Sequence, residues 1–177
     1  AGLTRVQEAP WAAFDGATGL PGEQVFCFLE APGPGGRDAV WVGTNDGVAI
    51  IEDGRILTHG VEKGLPGSQV RSLVAFRGAG GRSEVWASLI GSGLARLEGG
   101  RWKTVDARPA FRSDDASVLL SVLDADGGPE LWVGTEKSGL GLFSRGRWGV
   151  VGVEQGLPSS SVLSLLSTAG PSGRTLW

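Results

Sequence analysis

The densest chemistry in the sequence lies in "VDARPAFRSDDAS" (105–117), where Arg108, Arg112, Asp114 and Asp115 stand around Phe111. Guanidinium forks and carboxylates supply directional hydrogen bonds and an aromatic ring supplies burial, a mixture that suits a small polar molecule or a saccharide. "ASLIGS" (87–92) adds the apolar pair Leu89 and Ile90. These seven residues are the candidate ligand-binding set.

Nothing else in the sequence points to catalysis. His59 is the single histidine, so a Ser-His-Asp arrangement has one base available, and no nucleophile elbow G-x-S-x-G occurs. It follows Thr58 in an alternating run and reads as a half-buried strand residue. "DADGG" (124–128) resembles the start of a calcium loop, but the later Glu is missing and sibling segments hold Gly-rich turns there, so a turn is favoured. Gly91, Gly93 and "GTEKSG" (134–139) lack the Lys-Ser or Lys-Thr that opens a phosphate-binding helix. Cys27, the one cysteine, has no partner for an internal disulfide and reads as a small core residue. The chain is therefore expected to be no enzyme, with no catalytic residue, metal or cofactor assigned.

The elements that must position these residues follow a clock. Trp41, Trp86, Trp132 and Trp177 are 45, 46 and 45 residues apart, and "GLPG" or "GLPS" recurs at Gly19, Gly64 and Gly156. A period of this size signals a repeat architecture. Trp11, Ile56, Trp102 and Trp148 each lie eight residues beyond Leu3, Val48, Leu94 and Leu140, which implies a fixed hairpin register. Within 64–110, "SQVRSLVAF", "SEVWASL", "SGLARLEGG" and "RWKTVD" read as four strands separated by Gly-rich turns. "EDGR", "EGGR" and "SRGR" fit tight hairpins, whose residues take positive φ. No stretch carries a capped helical period. Four antiparallel strands per 45 residues is the pattern of a β-propeller blade. The tryptophan spacing could also suggest a stacking platform for sugars or bases, but a strict period makes these residues inter-blade packing first.

The expected fold is thus all-β, about four blade equivalents. Residues 1–18 form a half blade of third and fourth strands. Residues 19–63, 64–110 and 111–155 form complete blades, and 156–177 a half blade of first and second strands. The tryptophans at 41, 86 and 132 are expected to be equivalently buried between blades. Residues 1–16 are expected to pair with 156–177 of the same or another copy, because open edges invite association. The chain has no Met, so residue 1 is not an untouched translation start. A piece of a longer sensor is favoured over a closed four-blade ring or a self-associated pair.

The words "GLPGSQVRSL…EVW…SGLARLEGGRWKTV", "LWVGT…SGLGLFSRGRW" and "GLPSSSVLSL…LW" resemble the two-component regulator propeller repeat, and the resemblance covers essentially the whole chain. It implies a sensor segment of a bacterial signal-transduction protein. Such a segment stands on the periplasmic or extracellular side, ahead of a membrane span and a histidine kinase or another output.

Composition is compatible with this. A chain of 177 residues buries about 70% of its unfolded surface, and 31 glycines suit one that turns every dozen residues or so. The net charge of −3 and the lack of a basic run argue against nucleic acid as a partner. No apolar stretch approaches the length of a membrane span and no signal peptide is visible.

Function in such a fold belongs to loops. Strand alternation puts the loops between blades and those from second to third strand at one ring end, and both segments of the candidate set lie there. From the aromatic position to the Val opening the next blade there are 14 residues at Trp11 to Val25, Ile56 to Val70 and Trp148 to Val162, but 16 at Trp102 to Val118. The odd loop thus reads as an insertion that has lost GLP and gained Arg108, Phe111, Arg112, Asp114 and Asp115. A ligand-recognition segment is the first functional expectation. The alternative is a rigid protein-interaction or dimerisation scaffold without a small ligand.

Overall fold

The structure, a computed structural model, describes residues 3–5, 12–78, 81, 83–170 and 173–177. Three four-stranded antiparallel sheets succeed one another along the chain. The first holds β3 (Val25–Pro32), β4 (Asp38–Thr44), β5 (Gly47–Glu52) and β6 (Arg55–His59); β1 (Leu3–Arg5) and β2 (Ala12–Phe14) precede it as a hairpin. The second holds β7 (Val70–Arg77), β8 (Ser83–Leu89), β9 (Gly93–Glu98) and β10 (Arg101–Val105). The third holds β11 (Ala116–Leu123), β12 (Pro129–Thr135), β13 (Leu140–Ser144) and β14 (Arg147–Val151), and the hairpin β15 (Ser167–Gly170) with β16 (Gly173–Leu176) comes after it. Helical structure among the described residues is limited to single 3-10 turns at Gly16–Thr18, Val61–Lys63, Ser113–Asp115 and Val153–Gln155. None of these is long and apolar enough to cross a membrane.

Local sequence explains the sheets. "VWVGT", "VWASL" and "LWVGT" each form the second strand of a sheet. The third and fourth strands close through two-residue turns with both residues at positive φ: Asp53–Gly54, Gly99–Gly100 and Arg145–Gly146. This handedness matches the twist of the flanking strands. The fixed register is present as Val48 opposite His59, Leu94 opposite Val105 and Leu140 opposite Val151. Trp11, in the same aromatic series, lies outside the described residues.

The core sits between sheets. β7 lies against β3 on one side and β11 on the other. Trp41 is buried in a cluster with Leu73, Val85 and Trp102 of the second sheet, and Trp86 in a cluster with Leu119, Leu131 and Phe111. Burying these faces against a neighbour is what stabilises a repeat array. Trp132 departs from the expectation: it is half-buried, because its sheet is succeeded in the chain by a two-stranded hairpin rather than by another full sheet. A cavity of about 710 Å³ separates it from Ser167, Arg174 and Leu176. No strand of β1–β2 pairs with a strand of β15–β16 among the described residues.

Candidate functional site

The register of the third sheet corrects the reading of its incoming loop. Each first strand carries a bulge, between Val25 and Cys27, Val70 and Ser72, and Ala116 and Val118. Val25 pairs with Thr44, Val70 with Leu89 and Ala116 with Thr135. Ala116, not Val118, therefore opens the third sheet, and the distance from Trp102 is 14 residues as in the siblings. The loop has no insertion. The hydrogen bonds Asn45 N to Gln24 O, Ile90 N to Gln69 O and Glu136 N to Asp115 O repeat at equivalent places, so "AFRSDDA" (110–116) occupies the position of "GLPGSQV" (64–70).

In this register Phe111 takes the place of the Leu of GLP, with a consequence for its role. Leu20 and Leu65 are buried plugs that cluster with Ala49 and Ala95 on third strands. Phe111 is 5% exposed and does the same in the third sheet. The larger plug requires a smaller floor: a Cβ on Gly141, the equivalent of Ala49 and Ala95, would lie 2.4 Å from Phe111 Cε1. The ring also meets Trp148 edge-on at 5.3 Å. Phe111 is core, and Leu89, fully buried in β8, is core as well; neither offers a surface to a ligand.

The polar residues of the loop do converge. Arg108, Arg112 and Asp114 line a cleft of about 480 Å³ with Asp106, Ser113, Thr104 and the Gly91–Ser92 turn. β10 delivers Thr104 and leads directly into Asp106, and the 3-10 turn at Ser113–Asp115 holds Asp114 beside the β8–β9 turn. Arg108 grips Asp106 through Nε to Oδ1 at 3.0 Å and Nη2 to Oδ2 at 2.9 Å. Arg112 grips Asp114 through Nε to Oδ1 at 3.2 Å and Nη2 to Oδ2 at 2.6 Å. Two guanidiniums against two carboxylates leave these four groups without net charge. The paired guanidinium and the Arg108 amide hold Asp106 below the usual carboxylate range, and the Arg112 guanidinium does so for Asp114. Their partners hold Arg108 and Arg112 above the ordinary arginine value. Fixed, charge-balanced donors and acceptors flanked by hydroxyls can hydrogen-bond a neutral polyhydroxylated molecule; with Val105 as the one large apolar side chain of the lining, they give little burial to an apolar one.

The other two predicted residues stand apart from this cleft. Asp115 accepts Ser138 Oγ at 3.2 Å and ties the loop to the third sheet. Ile90 is exposed at a second cavity, about 530 Å³, with Phe26, Arg71, Ser117 and Leu163. There Arg71 Nη1 donates to Glu136 Oε1 at 3.3 Å. Sequence reasoning missed Asp106, although its spacing from Arg108 repeats that of Arg112 and Asp114 and could have marked the pair. The remaining groups are structural. Asp124 Oδ1 accepts the amides of Asp126 and Gly128 at 2.9 and 2.6 Å, which makes "DADGG" a turn. His59 is buried against Trp41 and Trp102. No protein-family model matches the chain, and no curated protein matches it.

Proposed function

We propose that the chain is a non-catalytic ligand-recognition segment of propeller type, built of repeats similar to those of two-component regulator propellers. In this reading it belongs to a bacterial signal-transduction protein and stands on the periplasmic or extracellular side of the membrane. The propeller reading is supported by three successive four-stranded antiparallel sheets, the adjacency of β3, β7 and β11 and the inter-sheet tryptophans. The ligand class is a small neutral saccharide. Neither a cofactor nor nucleic acid enters the reading.

The single observation that carries recognition is the cleft between the second and third sheets, where two Arg–Asp pairs face one opening. Both pairs sit at the one inter-sheet loop that lacks GLP, and repeat sequences break their own rules where a function is placed. Titration calorimetry with a panel of neutral mono- and oligosaccharides tests it. Arg108→Ala and Arg112→Ala should each weaken a binding sugar by about 10-fold through loss of charge-assisted hydrogen bonds, with the fold unchanged because both side chains are exposed. A bound sugar indifferent to both substitutions, or no binding across the panel, rejects the cleft.

A second reading, a scaffold for protein contact without a small ligand, is favoured by the exposed apolar side chains Phe26, Phe28 and Val40 on the first sheet. Self-association through the two terminal hairpins belongs to that reading, since their edges are unpaired among the described residues.

A further inference from the structure

A cavity of about 510 Å³ lies between the first and second sheets, with Trp41 and Leu57 on one side and Val85 and Leu97 on the other. That size suits a small organic molecule. Two positions in this groove depart from the pattern of the repeats. Trp86 and Trp132 donate their indole N–H to the glutamate two residues earlier, Glu84 and Glu130. The residue two before Trp41 is Ala39, and Trp41 donates to Ala31 O at 3.2 Å instead. His59, in turn, stands where the other sheets have Val105 and Val151. The groove has thus lost a carboxylate and gained a hydrogen-bond donor.

That donor has no partner in the fold. His59 Nδ1 accepts the Trp102 indole N–H at 3.2 Å, which leaves the imidazole proton on Nε2. The residue is only 7% exposed, and Nε2 makes no hydrogen bond among the described residues. No fully buried side-chain nitrogen or oxygen there lacks a partner, so Nε2 is reached by solvent. The imidazole is flanked edge-on by Trp41 and Trp102 and lines the cavity, which is where its N–H opens. Lys63, also in the lining, ends the 3-10 turn that follows β6 and joins none of the ion pairs among the described residues. The acidic residues nearby are otherwise engaged. Glu84 turns its carboxylate to Trp86 Nε1 at 3.3 Å and Arg96 Nη1 at 4.0 Å, and Glu62 Oε1 accepts the Gly60 amide at 2.9 Å.

We propose that this cavity binds a small organic anion, a carboxylate carried on an apolar body. The carboxylate accepts the His59 Nε2–H and faces the Lys63 ammonium, and the apolar body lies between Leu57 and Leu97. A nearly buried donor without a protein partner is accounted for by an acceptor that a ligand brings. A donor and a cation with no free carboxylate opposing them favour an anion over a neutral molecule, because a hydrogen bond to a charged acceptor is the stronger one. The apolar walls supply burial. The site owes nothing to the saccharide cleft, which lies between the second and third sheets.

His59 is the single histidine, so the imidazole resonances of the chain labelled with nitrogen-15 histidine report this site alone. Titration with phenylbutyrate and hexanoate should shift the Nε2 signal saturably. The neutral phenylbutyramide should bind about 10-fold more weakly than phenylbutyrate, the difference between a charged and an uncharged acceptor. Lys63→Gln should weaken phenylbutyrate about 3-fold, as for an exposed charge. Leu57→Glu, which puts a carboxylate on the wall, should weaken it at least as much. Both side chains are exposed, and an unchanged thermal midpoint identifies variants that fold. An Nε2 signal that neither acid moves up to millimolar concentration overturns the proposal. So does binding in which amide and acid are equal and Lys63→Gln and Leu57→Glu are both without effect.

Discussion

The indole N–H of Trp102, on the outer strand of the second sheet, donates to Nδ1 of His59, on the outer strand of the first, at 3.2 Å. The bond fixes the neutral imidazole with its proton on Nε2, and the ring lies edge-on to both Trp41 and Trp102 with centroids 6.4 Å away. His59 occupies the register position that is Val105 and Val151 in the other sheets, so an apolar slot has received a titratable group. Burial, and then Lys63, push its pKa below the ordinary value.

A depressed histidine pKa makes the unfolded state the better proton acceptor. Stability should be level above about pH 6.5 and fall as the pH drops below it toward the native pKa. His59→Gln, which does not titrate, should remove that part of the slope. His59→Ala orphans the Trp102 N–H and should cost about 1–3 kcal/mol from that group alone. Urea unfolding between pH 5 and 8 measures both effects; a wild-type slope that His59→Gln leaves intact would count against the assignment.

The Phe111–Gly141 pair makes a second prediction, through coupling. Gly141→Ala drives a Cβ into the Phe111 ring and should destabilise by about 1–3 kcal/mol. Phe111→Leu restores the plug of the sibling sheets but leaves space over Gly141, at a cost of about 1 kcal/mol. The double variant reproduces the Leu and Ala of the first two sheets and should be more stable than the sum of the single changes by at least about 1 kcal/mol. Chemical denaturation of the four proteins checks it, and strict additivity would show that the two residues do not share the space.

That pair also shows what the sequence could tell. The strands, their order and the turns were legible because each copy repeats the same Gly and Trp positions, and backbone geometry fixes what those residues do. The loop at 106–115 was misread because Val118 resembles the Val that opens the other sheets, while the bulge pairs Ala116 there instead. One wrong anchor turned a same-length loop into an insertion and a core plug into a ligand contact. Gly141, standing where Ala49 and Ala95 stand, was the available signal that Phe111 points inward. The convergence of Arg108 and Arg112 was legible as chemistry, but their choice of Asp106 and Asp114 as partners is set by loop conformation.

Burial should rank the tryptophans. Trp86 and Trp132 make the same kind of indole bond, to Glu84 Oε2 at 3.3 Å and Glu130 Oε2 at 3.1 Å, so comparison isolates packing. Trp86 is 1% exposed and contacts Phe76, Phe143 and Trp148. Trp86→Ala should cost about 3–5 kcal/mol, and Trp132→Ala, beside an open cavity, about 1–2 kcal/mol. Equal shifts in urea midpoint would mean that the terminal hairpin packs on Trp132 as tightly as a full sheet does.

Cys27 supplies the last prediction. Its Sγ lies on the face of β3 that approaches β7, 3.8 Å from Val70 O, and a Cβ on Gly43 would stand 2.4 Å from it. Burial against β4 and β7 pushes the thiol pKa up to about 11, only partly opposed by backbone hydrogen bonds. The thiolate is the reactive form, so at pH 8 the native protein should react with a disulfide reagent on the order of 100-fold more slowly than the unfolded chain in urea. The raised pKa carries a stability consequence of defined sign: full stability below the ordinary thiol value of 9.0, declining as the pH rises toward 11 because the unfolded state loses the proton first. Cys27→Ser should flatten this alkaline decline. Stopped-flow thiol titration in native and denaturing buffer reads the rate ratio, and equal rates in the two would show that Cys27 is open to solvent.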